Sequence, residues 1–144
     1  MPRVVVVTDS TASLPTEVAQ ARGIRVVPLQ VVIGARVLDE GPDGATPDVV
    51  AETEHSLAFR DINPQAPTHV LVVPKRHVPH AAALAAASPT EAADVLALGG
   101  IVADREGLGE GYRFVFNTGA RAGQTVFHAH LHVLGGRDLT WPPG

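Results

Sequence analysis

The segment QTVFHAHLHVLGG, residues 124–136, places a histidine at every second position: His128, His130 and His132. In a β-strand, successive side chains point to opposite faces, so residues two apart share a face. A helix would instead distribute the three rings around its circumference. The alternation therefore predicts a strand with three neighbouring imidazoles on one face. The intervening apolar residues would lie on the other face: Phe127, Ala129, Leu131 and Val133.

The composition is that of an ordinary globular chain and excludes several function classes. The 144 residues are 45% hydrophobic and 18% charged, with a formal net charge of −4, which provides no basic face for nucleic acid. No apolar run approaches the roughly 18 residues of a membrane span, and the run in MPRVVVVTDS ends too early for a signal peptide. Cysteine is absent, which excludes disulfides and thiolate metal sites. We expect a cytoplasmic chain that binds neither nucleic acid nor a membrane.

The first third has the pattern of a strand, a helix and a strand. RVVVVTDS predicts a buried strand, because a β-branched run that ends in small polar residues suits a parallel sheet. SLPTEVAQARG predicts a helix that begins near Ser13 and ends at Gly23. IRVVPLQVVIGARVLDEG predicts a second strand followed by a hairpin that turns at Gly34. These elements make a βαβ-like fragment.

Within this fragment, the TDST turn and the VVPLQVVI strand are similar to the start of DegV-type fatty-acid-binding proteins. That family has an α/β fold of about twice this length. The resemblance ends near residues 41–48, which are rich in glycine, proline and aspartate as a junction would be. We predict a partial DegV-like domain over residues 1–44. It is either a lipid-recognition module or a truncated passenger left by a fusion.

The remaining residues predict alternating strands around one helix. PDVVAETEHSLAF predicts two short strands, THVLVVP a third, and YRFVFN and VFHAHLHVL two more. The helix falls in SPTEAADVLALGGIVADREG, where Ser88 can cap and Glu91 stands at the capping-box position. Gly99 and Gly100 each cost this helix about 1 kcal/mol relative to alanine, so we expect close packing there against a partner.

Three stretches of this part resemble the histidine triad (HIT) superfamily, in the branch that hydrolyses purine nucleoside phosphoramidates. They are LAFRDINPQAPTHVLVVPKRH, GYRFVFNTGARAGQTVFHAHLHVLGG and the terminal WPPG, which favours that branch over related transferases and dinucleotide-cleaving enzymes. The resemblance implies an α+β domain over residues 45–144, with a central antiparallel sheet and one longer helix. It also implies a homodimer.

The histidines suit attack on phosphorus. An imidazole with a pKa near 6.5 is substantially neutral at pH 7, and it is nucleophilic when one ring nitrogen is free and the other is held by an acceptor. The resemblance implies that His130 forms a covalent nucleotidyl-histidine that water resolves. It also implies that His132 binds the phosphate, that His128 orients or relays protons, and that His69 continues the relay. This chemistry needs no metal and no cofactor.

The resemblance further implies a substrate site for a purine nucleotide. In the loop NTGARAGQT, glycines let amide groups approach the phosphate. Asp61 would accept from both ribose hydroxyls, Phe59 and Ile62 would enclose the base, and Trp141 would reach toward the partner subunit's site. The residues expected around the phosphate and the leaving group are Asn117, Gly123, Gln124, Thr125 and Val126.

Simpler interpretations stand beside these. A strand with alternating histidines could chelate zinc, but relatives with structural zinc carry an upstream cysteine pair that this chain lacks. Asp61 could be a simple turn residue, and Trp141 could belong to an ordered tail. The segment PKRH, residues 74–77, could be a solvated strand end. The alternatives to a phosphoramidate hydrolase are a nucleotide-binding module without turnover, or lipid binding by the first segment.

Overall fold

The computed structural model describes residues 48–144 without a gap and, before them, residues 7–9, 21, 25–27, 32–33 and 36–37. In the earlier part, β1 (Val7–Asp9) pairs in parallel with β2 (Arg25–Val27), as the strand–helix–strand pattern predicts. A separate two-stranded sheet joins β3 (Val32–Ile33) and β4 (Arg36–Val37). The helix predicted over residues 13–23 lies outside the described residues except for Ala21, which is helical. The predicted turn residue Gly34 also lies outside them.

The later part contains one five-stranded antiparallel sheet, whose order is β5-β6-β7-β9-β8. The α+β class and the central antiparallel sheet are therefore confirmed. Strands β7 and β9 lie inside the sheet, and β5 and β8 form its edges. The bounds are β5 Val49–Glu52, β6 Ser56–Arg60, β7 Thr68–Pro74, β8 Tyr112–Val115 and β9 Leu131–Gly135.

Two helices connect β7 with β8: α1 (Ala81–Ala87) and α2 (Pro89–Arg105). The longer helix was predicted. The run AAALAAA of α1 was not, because only its single leucine marks a buried face. Neither helix is long and apolar enough to cross a membrane, and the same holds throughout the described part of the chain.

The start of α2 corrects one prediction. Ser88 does cap the helix, since its hydroxyl accepts from the Glu91 amide at 3.3 Å. The reciprocal half of the capping box is wrong, because the Ser88 amide donates to the carbonyl of Leu84. The Glu91 carboxylate instead accepts from the guanidinium of Arg76 at 2.7 and 2.8 Å. A charge-assisted, bidentate pair outcompetes a single bond to a backbone amide.

The core lies between α2 and the sheet, and Gly99 sets their separation. A Cβ at Gly99 would lie 2.8 Å from both Leu131 Cδ2 and Phe114 Cζ, closer than side chains tolerate. The predicted close packing is therefore confirmed at Gly99, within the chain itself. At Gly100 an added Cβ would meet nothing within 4 Å among the described residues.

Strand β9 begins later than the alternation predicts. Leu131 pairs with Val72, and continuing that register would bring Ala129 opposite Pro74, which has no amide hydrogen to donate. The ladder therefore stops, and His128 and His130 precede the strand instead of lying in it. The two-face prediction holds for the buried Ala129, Leu131 and Val133. It is wrong for Phe127, which is 59% exposed.

Candidate active site

One part of the site is a pair of histidines on neighbouring strands of the sheet. His69 lies on β7 and His132 on β9, and the pairing Leu71 with His132 places the two rings diagonally on one face. His69 Nε2 lies 2.9 Å from His132 Nδ1, which is a hydrogen bond. Asp61 follows β6, and its Oδ2 lies 3.4 Å from the same His69 Nε2.

Main-chain contacts determine where the protons lie on this pair. The Gln65 amide donates to His69 Nδ1 at 3.0 Å, so the hydrogen of the neutral His69 ring is on Nε2. That hydrogen is donated to His132 Nδ1, which leaves the His132 hydrogen on Nε2. His132 Nε2 is buried and has no hydrogen-bond partner among the described residues. A buried donor without a partner costs about 1–3 kcal/mol, so this position calls for an acceptor supplied by a ligand.

His130 lies next to this unpaired donor. Its ring centroid is 4.9 Å from that of His132. Its Nδ1 donates to the main-chain carbonyl of His128 at 2.7 Å, because a carbonyl oxygen can only accept. The hydrogen of the neutral ring is therefore on Nδ1, and the Nε2 lone pair makes no hydrogen bond with the described residues. This is the arrangement that a nucleophilic imidazole requires.

His128 is the most enclosed member of the triad. Its side chain is buried, and its Nε2 donates to the carbonyl of Pro74 at 2.8 Å. Its Nδ1 lies 3.0 Å from Nδ1 of His77. The next amide, that of Ala129, donates to the carbonyl of Val78 at 2.7 Å. Residues 128 and 129 are thus held by the chain that follows β7.

Burial keeps the buried rings of the site neutral. Burial, together with the neighbouring His130 and His69, lowers the pKa of His132 to about 4, and Asp61 acts in the opposite direction. Burial also lowers the pKa of His69, against the opposing effect of Asp61. The pKa of His128 is lowered by burial as well, although its bond to the Pro74 carbonyl acts in the opposite direction. At pH 7 these groups act as neutral N–H donors and acceptors.

The loop before the triad brings several predicted residues together. Gly119 and Gly123 have φ values of +85° and +88°, which only glycine adopts readily. A Cβ at Gly123 would lie 3.9 Å from Asn117 Nδ2, so these two predicted residues are adjacent. Gln124 is buried; its Oε1 accepts from the Gly119 amide at 2.8 Å and its Nε2 donates to the Pro79 carbonyl at 2.6 Å. Its side chain therefore braces the loop.

The other predicted substrate residues lie nearer the surface. Thr125 and Val126 precede the triad in sequence and are exposed, and Phe59 is half-buried on β6. Ile62 and Trp141 are 81% and 84% exposed. The structure thus brings Asp61 against the histidines, whereas Trp141 is too exposed to pack against the triad of its own chain.

Sequence reasoning missed His77, which was read as part of a solvated strand end. Its ring contacts that of His128, with centroids 5.1 Å apart. Lys75 and Arg76 behave as expected of that strand end, since they pair with Glu52 and Glu91 at 2.7 Å. The sequence did contain a signal for His77. This residue follows the strand that carries His69, and His69 was expected to continue the relay of the triad.

One group of side chains has the composition of a metal site. Asp61, His69 and His132 each offer a donor atom, and these atoms lie within 4.8 Å of one another. However, the two nitrogens already share a hydrogen at 2.9 Å, and a metal would have to replace it. We therefore interpret Asp61, His69 and His132 as a hydrogen-bond relay.

Comparisons with known proteins agree with this geometry. The family model for the HIT domain matches residues 44–139. A HIT-like protein of Synechococcus elongatus is 48% identical over 97 residues, which cover 67% of this chain and 85% of that protein. A 14 kDa zinc-binding protein of Zea mays is 47% identical over 102 residues, which cover 67% and 77% of the two chains. In addition, the model for the uncharacterised DegV family matches residues 3–67.

Two solved structures share the fold. The crystal structure of a HIT family hydrolase from Legionella pneumophila is 46% identical, with a TM-score of 0.66 over 71% of this chain and 92% of that one. A HIT family hydrolase from Clostridium thermocellum is 38% identical, with a TM-score of 0.64 over 68% and 86%. The family-model match over residues 44–139 and the two solved neighbours show that this chain belongs to the HIT family.

Proposed function

We propose that this chain is a nucleotide-binding hydrolase that cleaves the P–N bond of purine nucleoside 5′-phosphoramidates. The observation that carries the proposal is the free Nε2 of His130 beside the unpaired Nε2–H of His132. A nucleophile and a buried donor then face one site, as attack on a phosphorus centre requires. The two structural neighbours named as hydrolases support this class of reaction.

The reaction would proceed in two displacements. The His130 Nε2 lone pair forms a bond to phosphorus as the P–N bond to the amine breaks, and the leaving nitrogen takes a proton from solvent. The Nε2–H of His132 donates to a phosphate oxygen, and we propose that the Thr125 hydroxyl donates a hydrogen bond toward the leaving group. Water then forms the new P–O bond as the P–Nε2 bond breaks. The proton that water loses returns to solvent, and the products are a nucleoside 5′-monophosphate and the free amine.

The nucleoside would lie on the Asp61 side of the triad. The Asp61 carboxylate accepts from the Asn63 amide through Oδ1 at 2.8 Å and faces His69 through Oδ2. It retains lone pairs for the ribose hydroxyls. Phe59 and the exposed Ile62 flank Asp61 in sequence, and we propose that they enclose the base. Adenine and guanine nucleotides both fit this description.

We propose a homodimer built on the β8 edge of the sheet. Strand β8 carries the exposed Tyr112, at 44%. Helix α2 lies mainly over the other strands of the sheet and meets β8 where the Phe114 ring lies against Gly99. A second copy that pairs with the β8 edge would cover Tyr112, and Trp141 would then reach the partner's site. We propose that the dimer works in the cytoplasm.

A fluorogenic adenosine 5′-phosphoramidate tests the reaction. We expect the full chain to release the fluorescent amine, and His130→Ala to lower the rate at least about 10³-fold because the nucleophile is gone. His55→Ala is the matched control, because the His55 side chain makes no hydrogen bond with the described residues. Release that persists in His130→Ala would contradict the proposed nucleophile. No release from the unmodified chain, with AMP still bound tightly, would instead favour a binding module without turnover.

A second candidate function concerns residues 1–44, which we propose as a separate partial domain. The DegV match and the parallel pairing of β1 with β2 favour it. In this case the segment would hold an acyl chain. Mass spectrometry of an organic extract of the purified protein should then detect fatty acid at about one equivalent per chain. An extract without fatty acid would count against lipid binding.

A further inference from the structure

We propose that His77 is a positioning residue for the nucleophile and acts through His128; this inference rests on the proposed function. His77 is exposed and stands three residues after the end of β7, yet its ring packs against the buried ring of His128. The two Nδ1 atoms are 3.0 Å apart, so one hydrogen must lie between them.

The direction of this hydrogen bond follows from the other nitrogen of His128. His128 Nε2 lies 2.8 Å from the carbonyl oxygen of Pro74, which can only accept, so the hydrogen of the neutral ring is on Nε2. His128 Nδ1 therefore has a lone pair, and His77 Nδ1–H is the donor. Burial favours this neutral form of His128. Because His77 donates from Nδ1 whether it is neutral or protonated, the bond persists in both states.

His77 belongs to a short segment that clamps the chain before β9. We call Pro74–Val78 the clamp. It contacts residues 128 and 129 three times: at the carbonyl of Pro74, at Nδ1 of His77 and at the carbonyl of Val78. Lys75 and Arg76 of the clamp take no part, since they pair with Glu52 and Glu91. Within the clamp, the His77 side chain thus supplies a hydrogen bond to the triad.

The clamp acts on the nucleophile through a single atom. The main-chain oxygen of His128 accepts from His130 Nδ1 at 2.7 Å, and this bond keeps the His130 lone pair on Nε2. If His128 loses its partner at Nδ1, its buried acceptor is unpaired. This loss favours rotation of the ring or its protonation. Either change moves the carbonyl that orients His130. The effect would fall on the chemical step, because the residues assigned to the nucleoside lie elsewhere.

Three substitutions of His77 distinguish the effect of its hydrogen-bond donor from the effect of its side-chain shape. His77→Asn retains an N–H donor at the position of Nδ1. His77→Asp has nearly the same shape but offers only an acceptor to His128. His77→Leu removes the polar group altogether. With the fluorogenic adenosine phosphoramidate, we expect kcat of His77→Asn within about threefold of the unmodified chain, and kcat of the other two lowered about tenfold or more. KM should change by less than about threefold in all of them.

His55→Leu serves as the control for replacing a histidine by leucine, and thermal unfolding shows which variants remain folded. If His77→Leu is unfolded, the test is the comparison of kcat between His77→Asn and His77→Asp, whose side chains have nearly the same shape. Equal kcat for Asn and Asp, or an unchanged kcat in a folded His77→Leu, would overturn the proposal.

Nitrogen-detected NMR of the imidazole rings tests the same inference without turnover. His128 should be the Nε2–H tautomer in the unmodified chain and in His77→Asn. In His77→Asp its pKa should rise, because the new carboxylate favours the doubly protonated ring. An Nδ1–H tautomer of His128 in the unmodified chain would overturn the inference. If the unmodified chain does not hydrolyse the substrate, the proposed function fails, while the tautomer still decides whether His77 positions His128.

Discussion

At the residue scale, each histidine of the site has one ring nitrogen committed to a partner that sets its tautomer. The Gln65 amide does this for His69, the His128 carbonyl for His130 and the Pro74 carbonyl for His128. Because each neutral imidazole has one donor and one acceptor, fixing one nitrogen assigns the other. The result is a free lone pair on His130 next to a free donor on His132. The lone pair of His130 can attack phosphorus, and the donor of His132 can stabilise the oxygens bound to it.

The neutrality of these rings makes stability depend on pH. The pKa of His132 is about 4 in the folded chain and about 6.5 when unfolded, so the unfolded chain binds more protons between these values. Stability is therefore complete above about pH 6.5 and declines as the pH falls toward 4, by up to about 3 kcal/mol from His132. The lowered pKa values of His69 and His128 act in the same direction.

Urea unfolding between about pH 4.5 and 7, at one protein concentration, measures this dependence. His132→Asn removes the titrating group and retains an acceptor for His69, so we expect a shallower decline of the unfolding free energy. Equal slopes for both proteins would contradict this assignment of the pH dependence to His132.

At the element scale, the approach of α2 to the sheet depends on a position without a side chain. Gly99 is buried, and Leu131 and Phe114 lie where its Cβ would be. The sequence shows two adjacent glycines in the helix, and each carries the same propensity cost. Only the packing distinguishes them, since Gly100 faces open space among the described residues.

Gly99→Ala should destabilise the protein. Overpacking costs about 1–3 kcal/mol, and the gain in helix propensity returns about 1 kcal/mol. We expect a net loss of up to about 2 kcal/mol in the free energy of unfolding, measured with urea. Gly109→Ala is the matched control, because a Cβ there meets nothing within 4 Å among the described residues. It should change stability by less than about 0.5 kcal/mol. A Gly99→Ala protein as stable as the original would show that α2 can move away from the sheet.

At the scale of the whole molecule, the sheet has two edges of different character. The β5 edge exposes Val49, whereas the β8 edge strand exposes the larger aromatic side chain of Tyr112. An open strand edge beside exposed apolar side chains is suited to pairing with a second copy.

Sedimentation or light scattering should therefore give twice the chain mass of 15.0 kDa, about 30 kDa. The substitution Tyr112→Glu should yield monomers, because it would bury a charge in the proposed interface. Val49→Glu, on the other edge, should remain dimeric. A monomeric unmodified chain, or a Tyr112→Glu variant that still dimerises, would contradict this interface.

The sequence by itself determined the local elements and the residue types of the site. Alternation and turn residues predicted β5 to β9, the longer helix and the α+β class, and the resemblance carried by three long motifs pointed to the histidines and Asp61. These features depend on spacing along the chain, which dictates the face that each side chain occupies. There were two exceptions. The extent of β9 depends on a proline in the neighbouring strand, and helix α1 has only a single leucine to mark its buried face.

Only the tertiary structure decided which ring nitrogen is free. Two of the deciding contacts are local, since the His128 carbonyl meets His130 and the Gln65 amide meets His69. The others join residues far apart in sequence: Pro74 and His77 with His128 across 54 and 51 positions, and His69 with His132 across 63. Sequence periodicity cannot specify which distant carbonyl meets a given nitrogen, because that depends on strand register and on where a ladder stops. The same dependence explains why His77 looked like a solvated strand end and why Phe127 faces solvent.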